Sequence, residues 1–329
     1  MTVPLSVLDL ASVVDGMSHY DALSQTIATA QEADRLGFER FWVAEHHGMP
    51  AVASSAPAVL IGAIAAATKR IRVGSGGVML PNHSSLVIAE QFGTLVALHG
   101  DRIDLGLGRA PGTDQLTSSV LRRNVGIETV DDFPNQVVEL LAWFGIIEPL
   151  DNGIGSAVVA TPGAGDAPLL WLLGSSTFSA RLAGILGVPF AFAHHFAGGP
   201  GTPEAFDVYR EHFAPSSVLD APRSMVAVNV LVSDDAERQS LPNALTMIRL
   251  RTGQRPDRIP TLEQALAHDW TDAERAWVAE RNSHQAIGTL EHVQARIGAL
   301  VAATGADEVI VVPQGADLET RLATLRALA

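Results

Sequence analysis

Residues 39–48 read ERFWVAEHHG, a short apolar run that ends in one acidic residue and two histidines. An apolar run of this length, with aromatic and β-branched residues, predicts a buried β-strand. In a parallel α/β barrel the chemistry lies at the carboxyl ends of the strands, where titratable side chains gather. The segment therefore predicts a barrel strand that carries Glu45, His46 and His47 into a catalytic site.

Comparable apolar runs recur at nearly regular intervals along the chain. They predict eight strands, at residues 4–9, 40–44, 71–76, 102–107, 168–173, 189–193, 225–232 and 308–312. Amphipathic stretches with a helical period lie between them. Eight strand–helix units predict an α/β fold of the (β/α)8 TIM barrel type, with residues 1–329 forming a single domain. A doubly wound open sheet has the same alternation and stays open as the structural alternative.

Two connections are long for a compact barrel. One follows the fourth strand and covers residues 109–168, and the other follows the seventh strand and covers residues 233–309. The second contains TGQRPDRIP at residues 252–260, a composition typical of a mobile lid over an active site. A solvated surface excursion would have the same composition.

The composition restricts the possible functions. Of the 329 residues, 47% are hydrophobic and 18% are charged, which is typical of a folded globular protein. The formal net charge of −14 argues against binding to nucleic acid. The chain contains no cysteine, which excludes disulfides, thiolate metal sites and a cysteine nucleophile. Because the sequence has no signal peptide pattern and no apolar stretch of about 18 residues, we expect a cytoplasmic protein that does not enter membranes.

One group of strand-end residues is suited to binding phosphate. Gly174, Ser175 and Ser176 lie where the fifth strand is predicted to pass into a helix, and the backbone amides at a helix N-terminus bind anions. Arg109, at the end of the fourth strand, would supply a cation next to them. An ordinary serine N-cap explains the serines equally well.

A glycine-rich run ends the third strand. Gly74 and Gly76 flank Ser75, and glycine lets the backbone approach a ligand closely because it has no Cβ atom. A flat cofactor ring could lie against this run. A simple turn or bulge would account for the glycines equally well.

Other strand-end residues are expected to face the mouth of the barrel, where a substrate would bind: Asp9, His47, Met79, His194 and His195. The two adjacent histidine pairs invite a metal interpretation. Adjacent strand residues point to opposite sides, so at most one histidine of each pair faces the centre, and we do not predict a metal site. A structural role stays open for each of these histidines, in particular for His195.

Four segments taken together resemble the bacterial luciferase-like flavin-dependent monooxygenases. They are residues 42–47 (WVAEHH), 74–83 (GSGGVMLPNH), 101–112 (DRIDLGLGRAPG) and 172–176 (LLGSS). The similarity covers most of the chain and includes residues 304–308 (TGADE) before the last strand. It is closest to the short, non-luminous members of the family, some of which tailor polyketides.

The resemblance implies a two-component monooxygenase. Members of the family bind reduced FMN that a separate flavin reductase delivers, and O2 then adds at the flavin C4a position to give a peroxyflavin. This oxidant oxygenates a small organic substrate, such as an aromatic polyketide. The resemblance also implies a homodimer.

The resemblance assigns roles to the candidate residues. His46 matches the histidine that supports the reaction of the flavin with oxygen, and Glu45 would orient His46 or the strand end. Residues 74–76 would lie behind the isoalloxazine ring, where the family often has a cis peptide bond that involves no proline. The FMN phosphate would be held by Arg109, Ser175 and Ser176.

Two other functions stay open. A related branch of this barrel superfamily uses coenzyme F420 for hydride transfer, and some relatives are non-catalytic flavin-binding accessory proteins. An F420 enzyme makes no use of O2, so reactivity with O2 separates it from a monooxygenase. Gly108 stands where true luciferases carry a reactive cysteine, which argues against light emission.

Overall fold

A computed structural model describes residues 3–110, 112–121, 132–148, 157–197, 201–254 and 256–329. Within these ranges the strands are β1 (Leu5–Asp9), β2 (Arg40–Val43), β3 (Arg72–Met79), β4 (Ile103–Gly108), β5 (Leu169–Gly174), β6 (Phe190–Phe192), β7 (Ser224–Val232), β8 (Ala286–Gly288) and β9 (Glu308–Pro313). The helices in the same ranges are α1 (His19–Leu36), α2 (Pro57–Ala67), α3 (Ser85–His99), α4 (Gln115–Leu121), α5 (Phe133–Trp143), α6 (Thr177–Leu186), α7 (His194–Ala197), α8 (Gly201–Glu211), α9 (Ala236–Gln239), α10 (Leu241–Arg251), α11 (Leu262–Ala267), α12 (Asp272–Ser283), α13 (Leu290–Thr304) and α14 (Leu318–Leu328). None of the helices in this described part of the chain is both long enough and apolar enough to cross a membrane.

Eight of the strands close into a barrel in which every pairing is parallel. The ring runs β1, β2, β3, β4, β5, β6, β7, β9 and back to β1. The pairing of β6 with β7 and of β9 with β1 completes the ring. This closure confirms the predicted (β/α)8 barrel and excludes the open doubly wound sheet. The eight ring strands are those predicted from the sequence, and the largest difference is that β3 continues to Met79.

The sequence pattern does not predict the additional strand, β8. Its three residues pair with Val230, Leu231 and Val232 at the carboxyl end of β7. A run of three residues is too short to show the strand period. Helices α9 to α12 lie between β7 and β8 in the chain, so β8 attaches the end of this helical segment to the carboxyl rim of the barrel.

Side chains alternate between the barrel interior and the surrounding helices. Val7 and Phe41 point outward and belong to the large hydrophobic core between strands and helices. Their neighbours Leu8 and Trp42 belong to a separate core inside the ring, where Trp42 packs edge-on against Trp171 at a centroid distance of 5.5 Å. This period of two is what strands covered on both faces require.

A network of charged side chains fills the amino-terminal end of the barrel interior. Arg40 is fully buried, and it donates through Nη1 to Asp104 Oδ2 and through Nε to Glu308 Oε1, each at 2.9 Å. Arg72 pairs with the other oxygen of Asp104 at 2.7 Å. Each carboxylate therefore has a cationic partner, which is the condition under which buried charges are tolerated. The network ties β2, β3, β4 and β9 together.

Replacement of Arg40 by methionine should destabilise the fold by about 3–5 kcal/mol, because Asp104 and Glu308 would lose the cation between them. Equilibrium urea denaturation followed by tryptophan fluorescence measures the change. The matched control is Arg35→Met, which breaks the exposed pair of Arg35 with Glu32 (2.7 Å) and should leave the denaturation midpoint almost unchanged. Equal stability of Arg40→Met and the wild type would show that the network does not stabilise the barrel.

Candidate active site at the carboxyl end of the barrel

Hydrogen bonds to neighbouring segments fix the chain just beyond β2. The Ser54 hydroxyl donates to the Ala44 carbonyl, and the His46 N–H donates to the Ser54 carbonyl at 2.9 Å. The His47 N–H donates to the Gly112 carbonyl at 3.3 Å, which links this point to the connection after β4. The predicted catalytic residues therefore lie on a strand end that is held on two sides.

The Glu45 carboxylate is fully buried and accepts three hydrogen bonds. Its Oε1 lies 2.7 Å from His47 Nε2 and 2.7 Å from His83 Nε2, and its Oε2 accepts the Met79 N–H at 3.1 Å. Burial alone would raise the pKa of Glu45, but the bonds from His83, His47 and Met79 outweigh burial and hold this pKa below its ordinary value. Glu45 is therefore an anion at neutral pH, held between two imidazoles.

The same three side chains form a donor set that a divalent transition metal could use. The ligand atoms of Glu45, His47 and His83 lie within 4.8 Å of one another. One carboxylate with two imidazoles is a common set for such ions. The oxygen–nitrogen distances of 2.7 Å are those of charge-assisted hydrogen bonds in which each imidazole donates Nε2–H. The three groups therefore satisfy one another as a hydrogen-bonded cluster.

This cluster refines the role of Glu45 and adds His83 to the site. Glu45 bonds to His47 and His83, so it orients the strand end and not the His46 ring. The sequence does not indicate a role for His83, because Glu45 lies 38 positions earlier and a contact over that separation cannot be predicted from spacing. The available signal is that His83 ends the segment 74–83, one of the four segments that carry the resemblance.

The His46 ring is partly buried, and its Nδ1 has no hydrogen-bond partner among the residues that the structure describes. Burial lowers the pKa of His46 and outweighs the opposite effect of the Glu45 carboxylate. The imidazole is therefore neutral at pH 7, with one nitrogen that can accept a proton and one that can donate. A buried nitrogen without a partner marks a position where a ligand can complete the hydrogen bond.

His195 has the same character on the opposite side of the rim. It follows β6, which lies four places from β2 in the ring. Its Nδ1 is buried and unpaired in the described part of the chain, and burial lowers the pKa of His195 to about 3. Asn229 on β7 and Gln285 before β8 both donate to the His195 carbonyl, at 2.8 and 3.4 Å. The backbone of His195 is therefore fixed while its ring is neutral and free to meet a ligand.

The predicted phosphate-binding residues lie together around the start of α6. Ser176 is the N-cap of α6, but its hydroxyl makes no capping bond, and Ser175 and Ser176 are both exposed. The Arg109 guanidinium stacks on the Phe178 ring in the first turn of α6, 4.2 Å from the ring centroid. A helix N-terminus without a side-chain cap has free N–H groups, and a guanidinium beside them completes an anion site.

The glycines predicted to contact the cofactor have packing reasons of their own. A Cβ atom added to Gly74 would lie 2.5 Å from the Asp104 carbonyl oxygen, and one added to Gly76 would lie 2.8 Å from a Leu8 methyl group. At Gly174 it would lie 2.6 Å from a side chain of α6. These three positions require glycine because no larger residue fits, and their contact with a flavin stays a prediction.

The Ser75 side chain has a structural role, and contact of residues 74–76 with a flavin stays a prediction. Its side chain is fully buried, and its hydroxyl bonds to the Gly106 carbonyl at 2.9 Å and to the Gly106 N–H at 3.0 Å. The hydroxyl therefore serves the contact between β3 and β4. The peptide bond between Gly76 and Gly77 is cis, as the resemblance implies.

Two residues predicted to contact the substrate are also corrected to structural roles. Asp9 points to the helix side of β1, where its Oδ1 accepts a bond from the Thr26 hydroxyl on α1 at 2.8 Å. The His194 ring uses both nitrogens, with Nδ1 2.8 Å from the Thr202 hydroxyl and Nε2 2.9 Å from the His284 carbonyl. The alternation of strand side chains turns Asp9 away from the mouth, and His194 has no ring nitrogen left for a ligand.

Met79 and His47 lie at the rim, as the strand pattern predicts. The Met79 side chain fills the space beside two glycines. A Cβ atom added to Gly108 would lie 3.0 Å from the Met79 Sδ, and one added to Gly112 would lie 2.9 Å from the Met79 Cγ. His47 is held by Glu45 through Nε2. Contact of Met79 or His47 with a substrate stays a prediction.

The profile of the family described as luciferase-like monooxygenase matches residues 5–308. The chain belongs to this family. The match confirms the resemblance based on the four sequence segments, and the relatives below support an oxygenase.

Two relatives and one solved structure are similar to this luciferase-like monooxygenase over most of its length. A luciferase-like monooxygenase of Escherichia coli strain K12 is 43% identical over 327 residues, which cover 98% of this chain and 94% of that protein. An N-acetyl-S-alkylcysteine monooxygenase of Bacillus subtilis strain 168 is 36% identical over 267 residues, 81% of this chain and 79% of that protein. The crystal structure of apo-MsnO8 has a TM-score of 0.88 and 36% identity, covering 99% of this chain and 96% of that one.

More distant structures share the fold alone. The oxygenating constituent of 3,6-diketocamphane monooxygenase from Pseudomonas putida, in complex with FMN, has a TM-score of 0.72 at 20% identity and covers 99% of this chain and 97% of that one. An F420-dependent secondary alcohol dehydrogenase has a TM-score of 0.70 at 14% identity, and the match covers 100% of this chain and 98% of that one. The same barrel therefore carries either cofactor in other proteins.

His195 should stay neutral throughout the pH range in which the protein is folded, because burial moves its pKa from the ordinary 6.5 to about 3. The unfolded chain binds the proton below the ordinary pKa and the folded chain does not, so this residue should reduce stability as the pH falls from about 6.5 towards 3. NMR of ring-labelled histidine measures the titration, and the spectrum of His195→Gln assigns the resonance. A His195 ring that titrates at its ordinary pKa in the folded protein would contradict the buried environment.

Proposed function

We propose that this chain is the oxygenase component of a two-component system that uses reduced FMN and O2. The observation that carries the proposal is the presence, on one rim, of an anion site at Arg109 and α6 and of the unpaired imidazole of His46. Reduced FMN, when bound, supplies the electrons that reduce O2. The residues of the rim bind the flavin, shield it from water and move protons.

The anion site supports a flavin that carries a phosphate. β4 and β5 are neighbours in the ring, so Arg109 just after β4 and α6 after β5 lie side by side. Within the described ranges Arg109 has no carboxylate partner, and its planar guanidinium is free to bind phosphate oxygens. The exposed hydroxyls of Ser175 and Ser176 can add hydrogen bonds to the same oxygens. Riboflavin, which has no phosphate, would gain nothing from these groups.

His46 is the residue that we propose to act in the reaction with oxygen. A neutral imidazole whose Nδ1 is buried and unpaired can, depending on its tautomer, accept a proton at that atom or donate a hydrogen bond from it. Because its pKa is lowered, His46 is neutral at neutral pH and has a nitrogen available for a proton. The partial burial of the ring limits access of bulk water to this proton transfer.

Glu45, His47 and His83 support the same function indirectly. Their mutual hydrogen bonds hold the end of β2 against His83, which lies just before α3. Because His46 belongs to the same strand end, these bonds also fix its backbone. We assign Glu45 as a positioning residue for the strand end, and a direct catalytic role is reserved for His46.

The partners and the substrate also belong to the proposal. A separate flavin reductase supplies the reduced FMN, the chain acts as a homodimer, and the substrate is a small organic molecule. One oxygen atom of O2 enters the substrate and the other leaves as water. An aromatic polyketide is one substrate class, and a thioether is a second because a relative is named N-acetyl-S-alkylcysteine monooxygenase.

Rapid mixing tests the proposed function. The protein with bound reduced FMN is mixed with oxygenated buffer in the absence of substrate, and the absorbance of oxidised flavin is followed with time. Oxidised flavin should appear more slowly with the protein than with free reduced FMN. In His46→Ala this difference should shrink by about 10-fold or more while FMN affinity is unchanged. The control is His99→Ala, since His99 ends α3 at the opposite end of the barrel.

Appearance of oxidised flavin at the free-flavin rate in the wild type would contradict an oxygenase role. Titration with coenzyme F420 would then test the hydride-transfer alternative, and binding of FMN without any effect on its oxidation would favour an accessory protein. An identical time course for His46→Ala and the wild type would remove His46 from the mechanism.

A further inference from the structure

Helix α12 brings an arginine to the rim beside His195. The helix ends at Ser283 and leads into β8, which pairs with the carboxyl end of β7. Gln285 follows the helix, donates to the His195 carbonyl at 3.4 Å and accepts the Asn229 N–H at 3.1 Å. Arg281 lies in the last turn of α12, four positions before Gln285.

Arg281 is partly buried and has no side-chain partner among the described residues. Within the described ranges it forms neither an ion pair nor a hydrogen bond through its guanidinium. Burial lowers the pKa of Arg281, and no carboxylate offsets this effect. Arg40 is the contrast inside the same barrel, because its buried guanidinium is held by Asp104 and Glu308. A guanidinium that is partly removed from water without an anion is unfavourable, which indicates a position prepared for an anionic ligand.

Arg281 and His46 both lie close enough to the His195 ring to influence its charge, although the three residues belong to different elements of the fold. The Nδ1 atoms of His46 and His195 are buried without partners in the part of the chain that the structure describes. The nearby Glu45 carboxylate is already bonded to His47 and His83. A ligand beside the His195 ring would therefore meet one available cation and two neutral imidazoles.

We propose that Arg281 recognises the substrate of this enzyme by pairing with an anionic oxygen group, namely a carboxylate, beside His195. This inference rests on the proposed function and names the substrate class for the same rim. The planar guanidinium can hold a carboxylate through two parallel hydrogen bonds. Because the chain carries a net charge of −14, a local cation favours the binding of an anionic substrate.

The flavin phosphate is the other anionic oxygen group that Arg281 could meet. The phosphate site at Arg109 lies after β4 and β5, whereas α12 approaches the rim after β6 and β7. The two cations therefore serve different parts of the rim, and the experiment below includes an arm for each anion.

The test compares two probes of nearly equal shape, N-acetyl-S-benzyl-L-cysteine and its carboxamide, by isothermal titration of the full chain in the presence of FMN. The wild type should bind the acid about 10-fold more tightly than the amide, or better. Arg281→Gln should bind both probes with equal affinity, and Arg281→Lys should recover part of the preference. The matched control is Arg275→Gln, an exposed arginine of the same helix, which should keep the full preference.

Equal affinity of the wild type for acid and amide, binding of neither probe, or an unchanged preference in Arg281→Gln would each overturn the proposal. Titration of Arg281→Gln with FMN and with riboflavin is the second arm, and the preference for FMN should be that of the wild type. Loss of that preference would assign Arg281 to the flavin phosphate and would also overturn the proposal. These binding results are independent of the oxidation kinetics measured without substrate, so failure of this inference is distinguishable from failure of the proposed oxygenase function.

Discussion

Closure of the eight-strand ring is the constraint on which the rest of the structure depends. Because all strands are parallel, the pairing of β6 with β7 and of β9 with β1 brings every carboxyl end to one rim. His46 and His195 are far apart in sequence, yet the ring places them on opposite sides of the same mouth. The interior must then be filled, and the apolar core around Trp42 and Trp171 fills it between a charged amino end and an open carboxyl end.

The pairing of buried charges separates structural residues from ligand-binding residues in this barrel. At the amino end Arg40 lies between two carboxylates and holds strands together. At the carboxyl end Glu45 is saturated by two imidazoles and a backbone amide and holds a strand end. Arg109 and Arg281 are different, since neither has a carboxylate partner among the described residues. A cation that is partly removed from water is stabilised when a ligand supplies an anion, so these two residues define the anionic ends of the cofactor and of the substrate in our proposal.

The sequence predicted the eight ring strands and the grouping of Arg109 with Ser175 and Ser176, because both depend on local apolar runs and on the order of neighbouring strands. It could not predict which strand-end side chains face the mouth. Asp9 and His194 illustrate this, since their hydrogen bonds to α1, Thr202 and His284 depend on packing between distant segments. Two further residues, His83 and Arg281, were missed for the same reason: their importance lies in the presence or lack of a partner, and partners are set by the fold. β8 is too short for any periodic signal.

Whether Arg109 holds the flavin phosphate can be measured by anaerobic binding of reduced FMN and of reduced riboflavin to the wild type and to Arg109→Ala. Arg109→Ala should weaken FMN binding by about 10-fold or more, because a charge-assisted pair with the phosphate is lost, and should leave riboflavin binding unchanged. Arg238→Ala, which removes an exposed arginine of α9, should alter neither affinity. An equal loss for both flavins in Arg109→Ala would mean that Arg109 serves the structure of the rim, and it would contradict a flavin phosphate held at α6.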